Sequence, residues 1–215
     1  MNPPHRLTFL LACSSGLAVL FWMIRLWHAR EITFIFLNWN LFLAWIPFVS
    51  IRAMAFVPSR SSYLPLRSFL MGICFFFLPN APYIITDLIH LKWNDDPFIW
   101  FDALLIFSYA WTGLLLFLAT FNEISLRLET KLPTIAVQGI LLSLAMLCGY
   151  GIYLGRFIRL NSWDVIRHPE SLVSLTLERI LDPFAHPRTV GVTLFFGLFL
   201  WLGFHTVQAF RGAGK

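Results

Sequence analysis

The chain has 215 residues, 58% of them hydrophobic and 13% charged, with a mean hydropathy of +0.72. Soluble domains carry about 25% charged residues, and no water-soluble core of this size encloses so much apolar surface, so a soluble globular fold is excluded. The net charge of +5 does not signal nucleic acid, because Lys and Arg lie between apolar runs, where membrane topology and anionic headgroups account for them.

The expected fold is an all-α integral membrane protein, a bundle of about six transmembrane helices forming a single polytopic domain over 1–215. A span needs about 20 mostly apolar residues, and six runs approach that length: residues 7–24, 32–51, 66–85, 98–121, 134–154 and 189–210. The first run follows Arg6, and "LLAC" faintly resembles a lipoprotein box, but the apolar stretch continues well past Cys13 and predicts a retained span. "RLWHARE" makes a tight turn to the second span, which opens on Asn38 and Asn40 of "LNWNLF".

The third span, "SFLMGICFFF", runs into "LPNAPYIITDLIHL". Pro79 and Pro82 each lack an N–H and crowd the carbonyl four residues back. The third helix is therefore expected to kink or break at Pro79/Pro82, with the Asn80 amide serving the freed carbonyls. Downstream, Tyr83, Asp87 and His90 stand at i, i+4 and i+7, one face of an α-helix. An Asp–His pair of this kind suits proton transfer or metal ligation, although both side chains can equally sit solvated at headgroup level.

"KWNDDP" leads to the fourth span, whose "FIWFDALL" carries Asp102. After the fifth span, "GRFIRLNSWD" presents Arg156, Arg159 and Asp164, while Gly151 and Gly155 suggest a face for close helix packing. A connecting segment at about 161–187 contains "PESLVSLTLERIL", which starts on a helix-favouring Pro169 and places Leu172, Val173, Leu177, Ile180 and Leu181 near one face. It reads as an amphipathic helix on the membrane or across the bundle mouth, or as a connector packed on the bundle. The opposite half of the bundle is poorer in polar residues, mainly Gln138 and His205.

If the helices run straight through, Asn38, Asn40, Asn80, Tyr83, Asp87, His90, Asp102, Arg156, Arg159 and Asp164 gather towards one end. An ionisable side chain within a span costs about 2.5–3.5 kcal/mol on insertion scales and so seeks a partner. Two readings stand. Asp87 and Asp102 pair with Arg156 and Arg159 to lock helices together, or the arginines grip a phosphate or carboxylate while Asp87 or His90 handles a proton. Asp95, Asp96, His168 and His186 lie on the same side, without a compact metal-ligand motif, and no metal or cofactor is expected. The three cysteines, Cys13, Cys74 and Cys148, read as small apolar residues.

The runs "LPNAPYIITDLIHL", "FIWFDALL" and "GIYLGRFIRLNSWDV" together resemble a family of bacterial multi-pass membrane proteins, domain of unknown function 1361. The likeness covers about residues 38–210, and the proline-asparagine-proline motif is its most distinctive part. The resemblance implies a bacterial cytoplasmic-membrane protein of this size and span count, and it assigns no activity and no catalytic residues. The residues themselves point first to binding or transport of a small polar or anionic ligand, or of a lipid headgroup, at the polar end. A membrane-embedded enzyme using Asp87 or His90 as acid or base, and a non-catalytic subunit of a membrane complex, are the alternatives. The purely basic "RAMAFVPSRSSYLPLR" and acidic "KWNDDP" favour both termini in the cytoplasm.

Overall fold

The computed structural model describes residues 3–30, 32–58, 60–91, 98–160, 167 and 169–213. Every secondary-structure element among them is helical. Six helices are long and apolar enough to cross a membrane: His5–His28, Ile35–Ala53, Ser61–His90, Ile99–Glu129, Thr134–Ile158 and Pro187–Phe210. The all-α membrane architecture expected from the sequence is observed. The fourth span runs about two turns further than its apolar stretch, because "NEISLRLE" contains no breaker and Ser125 Oγ donates to Glu129 Oε1 at 2.6 Å. The chain divides into two compact units, Met1–Thr120 and Phe121–Lys215.

The first unit holds α1 (Pro3–Ala29), α2 (Ile35–Ala53), α3 (Leu64–Phe77), α4 (Asn80–Tyr83) and the first part of α5 (Ile99–Glu129). The α1–α2 turn is closed by Trp22 Nε1, which donates to the Thr33 carbonyl at 2.9 Å, and Phe34 enters α2 in the left-handed region at φ 62°. Leu37, Leu41, Ala44, Phe48 and Ile51 alternate three and four residues apart on α2 and are buried, one helical face. Polar pairs tie neighbouring helices at mid-span: Trp45 Nε1 donates to Ser15 Oγ at 3.0 Å, and the Ser14 and Thr112 hydroxyls lie 2.7 Å apart. Cys74 and Cys148 are buried as expected, but Cys13 is exposed on the surface of α1.

The third span breaks where its prolines require. α3 ends at Phe77, α4 is a single turn, and a 3-10 segment follows from Ile84 to His90. The freed backbone groups find other partners. The Leu78 carbonyl takes the Ala81 N–H at 3.3 Å, the Pro79 carbonyl takes the Tyr83 N–H at 3.1 Å, and Asn80 Nδ2 donates to the Phe77 carbonyl at 3.2 Å. Non-helical backbone at membrane depth persists only with such substitutes. Gly113 of α5 lies against this break, where an added Cβ would collide with the Ala81 carbonyl and meet Ile84 Cδ1 at 3.1 Å.

The second unit holds the end of α5, then α6 (Thr134–Tyr153), a π turn (Leu154–Ile158), α7 (Pro169–Leu181) and α8 (Pro187–Ala213). α6 and α8 pack closely. A Cβ on Gly149 would stand 2.5 Å from the Thr193 carbonyl, and one on Gly197 would stand 2.5 Å from Met146 Sδ. The close approach of α6 to α8 falls at Gly149. The expected amphipathic helix forms as α7. Thr176 accepts a hydrogen bond from Tyr150 OH at 2.9 Å, while Val173, Leu177 and Leu181 are exposed.

Candidate functional site

The polar end of the first unit is assembled by the last turns of α1, the first turns of α2 and α5, and the 3-10 segment. Winding decides which side chains meet. A 3-10 helix has three residues per turn, so Ile84, Asp87 and His90 eclipse one another along one ridge. Ala81, Ile84 and Asp87 are buried at that three-residue period, while His90 at the end of the ridge is exposed. Tyr83 does not share Asp87's face, as α-helical spacing had predicted, because four residues of 3-10 helix overshoot a turn by about a third. Its carbonyl accepts the Thr86 hydroxyl at 2.7 Å instead.

Asp87 is 1% exposed, and Asn40 Nδ2 donates to its Oδ2 at 2.8 Å. His90 sets its ring edge-on against Phe36 with centroids 4.9 Å apart. Two residues before Asn40, Asn38 Oδ1 accepts the hydroxyl of the fully buried Tyr109 at 2.8 Å. The remaining amide nitrogen of Asn38 is enclosed and has no hydrogen-bonding partner among the described residues.

The guanidinium that meets Asp102 is Arg25. Its Nε donates to Oδ1 at 2.5 Å and Nη2 to Oδ2 at 3.0 Å, a two-pronged pair with the side chains 12% and 13% exposed. The planar fork matches both carboxylate oxygens at once. Phe98 covers the pair, 5.9 Å from the guanidinium carbon. Arg25 was not among the expected site residues, since the apolar run of the first span stops at Ile24. The signal was present in "RLWHA", which contains no helix breaker, so α1 continues to Ala29 and keeps Arg25 within the helix.

Asn80 serves the backbone of the break. Arg156 and Arg159 belong to the second unit, on and just after the π turn. Arg159 closes that turn in the left-handed conformation at φ 63°, a position where glycine is usual. There the Leu154 carbonyl accepts the N–H groups of both Arg159 and Leu160. Asp164, Asp95, Asp96 and His168 lie outside the described residues. Among the described residues no three His, Cys, Asp or Glu side chains gather as metal ligands.

Long apolar helices with ionisable groups held in internal pairs at one end define a multi-pass membrane protein. Within that class, the chain belongs to the family described as protein of unknown function (DUF1361), whose model matches residues 39–202. The break, the 3-10 ridge, Asp102 and the π turn fall inside the match, while Arg25 and Asn38 fall outside it. No curated protein and no solved structure matches the chain.

Proposed function

We propose that this membrane protein binds a small polar or anionic ligand, with a lipid headgroup as its nearest source, at the polar end of the first unit. The observation that carries the reading is the Asn38 amide. It is a buried donor two residues from the Asn40–Asp87 pair, and it lacks an acceptor where its neighbours have theirs. An unsatisfied buried donor costs about 1–3 kcal/mol, and the cost is recovered when a ligand oxygen takes the hydrogen bond. A phosphate, carboxylate or headgroup ester oxygen has that chemistry. Arg25 neutralises Asp102, so an anionic oxygen is not opposed by that carboxylate.

The test is thermal unfolding of the purified protein in detergent, with a phosphate-headgroup lipid, inorganic phosphate or acetate added in turn. The lipid or one of the free anions raises the Tm of the parent, and the rise disappears in Asn38→Leu. No rise with any of them overturns the reading. Arg156→Gln and Arg159→Gln in the same assay test the two arginines expected from the sequence.

The 3-10 ridge favours a second reading. It sets a buried carboxylate one turn below an exposed imidazole, the arrangement in which a carboxylate orients a histidine for acid–base work. A membrane-embedded enzyme of this kind requires His90, so a ligand-dependent activity that survives His90→Gln excludes it.

We also place the protein in a bacterial cytoplasmic membrane with both termini inside. Support comes from the basic connection after α2. Reporter fusions at each end and after His90 check it: the termini report one side and the His90 fusion the other.

A further inference from the structure

The second unit carries a different polar feature, on a helix pair that the reading above does not use. Eight buried polar atoms lack a partner among the described residues, and four of them lie on α8: Thr189 Oγ1, Thr193 Oγ1, Trp201 Nε1 and His205 Nε2. Together with Gly197 these residues recur every fourth position, the ridge that winds slowly along an α-helix. A fifth, Gln138 Oε1, lies on α6.

The packing of α6 on α8 fixes their register. As α6 is followed backwards from Gly149 to Met146, its partner on α8 advances from Thr193 to Gly197, so the two helices are antiparallel. Gln138 stands eight residues before Met146, and His205 stands eight residues after Gly197. Both are therefore displaced by about 12 Å along their helices from the same contact, which brings them level. Gln138 shares the face of α6 that carries Ala145 and Gly149, by the i, i+7 and i+11 spacing, and Gly149 faces α8. Trp201 lies one turn nearer the contact, with its ring 4.5 Å from that of His205.

Three enclosed atoms of complementary kind thus come from two packed helices. Trp201 Nε1 only donates, Gln138 Oε1 only accepts, and His205 Nε2 does either according to its tautomer. The location sharpens the point. Tryptophan within membrane helices concentrates at the two interfaces, yet Trp201 lies in the interior of the Pro187–Phe210 span. An ionisable residue inside a span marks a site more often than a surface. The seam is not an open path along α8, because the Gly197–Met146 contact separates this group from Thr189 and Thr193.

We propose that Gln138, Trp201 and His205 form an intramembrane site for one hydroxyl oxygen. That oxygen accepts the Trp201 N–H and donates to Gln138 Oε1. A trapped water has a second hydrogen to give and takes His205 Nε2 as acceptor. The hydroxyl of an amphiphile has no second hydrogen, and it accepts from His205 Nε2–H instead.

The experiment is a double-mutant cycle on the full chain in nanodiscs, read as Tm, with Gln138→Leu, His205→Phe and the pair. A bound oxygen links the two residues. Each single change then lowers Tm, by about 3 °C or more, and the pair loses clearly less than the sum. Orphan atoms without a ligand give the reverse: removing each raises or leaves Tm, and the effects add, which overturns the proposal. Gln138→Met, which keeps the side-chain length, reads the same sign if a larger change fails to fold. Octanol titration, with octane as control, separates the sources. A Tm rise with octanol that is lost in the pair identifies an amphiphile hydroxyl, while coupling without an octanol effect identifies water.

Discussion

At the scale of single residues, the ion pair between Arg25 and Asp102 makes the sharpest forecast. Both side chains are nearly enclosed, and removing one charge strands the other. Arg25→Met is expected to cost about 3–5 kcal/mol, with much of the loss recovered in the double variant Arg25→Met/Asp102→Leu. Thermal unfolding of the two singles and the double in one detergent checks it. Asp87 accepts a hydrogen bond from the Asn40 amide. Asp87→Asn keeps an oxygen for that amide and is expected to retain more stability than Asp87→Leu, which orphans the Asn40 donor at a cost of about 1–3 kcal/mol; thermal unfolding of the two variants checks it. Arg159 is held in a conformation that costs a residue with a Cβ about 1–2 kcal/mol. Arg159→Gly is therefore expected to raise Tm, and a fall would show that the guanidinium itself stabilises the turn. Partners of this sort were poorly legible in the sequence. Asp102 announced a need for a cation, but which arginine met it depended on α1 extending past its apolar run.

At the scale of elements, the break in the third span was legible because proline chemistry is local: Pro79 and Pro82 remove two donors wherever they sit. The 3-10 winding that follows was not, since "IITDLIH" fits either helix and the choice is made by tertiary packing. Gly113 is the visible part of that packing. Gly113→Ala is expected to push α5 off the break and to destabilise by about 1–3 kcal/mol, while Gly72→Ala, where a Cβ meets nothing within 4 Å, leaves Tm within a degree or raises it. The amphipathic helix was legible for the same reason as the break, from a proline start and a repeat of apolar positions. We propose that its exposed Val173, Leu177 and Leu181 rest in the headgroup layer. Leu177→Glu is then expected to weaken lipid protection of α7 without unfolding the bundle, as read by the accessibility of a cysteine-attached probe at Val173.

At the scale of the whole molecule, six spans were evident from composition alone, because a bilayer admits few alternatives to apolar helices. Large apolar side chains such as Phe9, Trp39, Phe69 and Phe195 are more than half exposed on the spans, as expected where lipid is the solvent. What composition could not supply is which polar groups are satisfied. Side chains that look equally polar in the sequence divide in the fold into those that brace helices, such as Asn40 and Asn122, whose Oδ1 accepts from Gln208 Nε2 of α8 at 2.8 Å, and those left with an open valence, such as Asn38 and Gln138. That division depends on interhelical register, fixed here by glycines whose tight contacts no span-length pattern encodes.

The 3-10 stretch has one more consequence, in the economy of chain. Each residue there advances about 2.0 Å instead of about 1.5 Å, so Ile84–His90 covers a given depth with fewer residues than α-helix would need. The segment is drawn taut. Slack added to it can be taken up by rewinding, whereas slack removed has nowhere to come from. One alanine inserted after Ile85 should therefore be tolerated better than deletion of Ile85, an asymmetry that a uniform helix would not show.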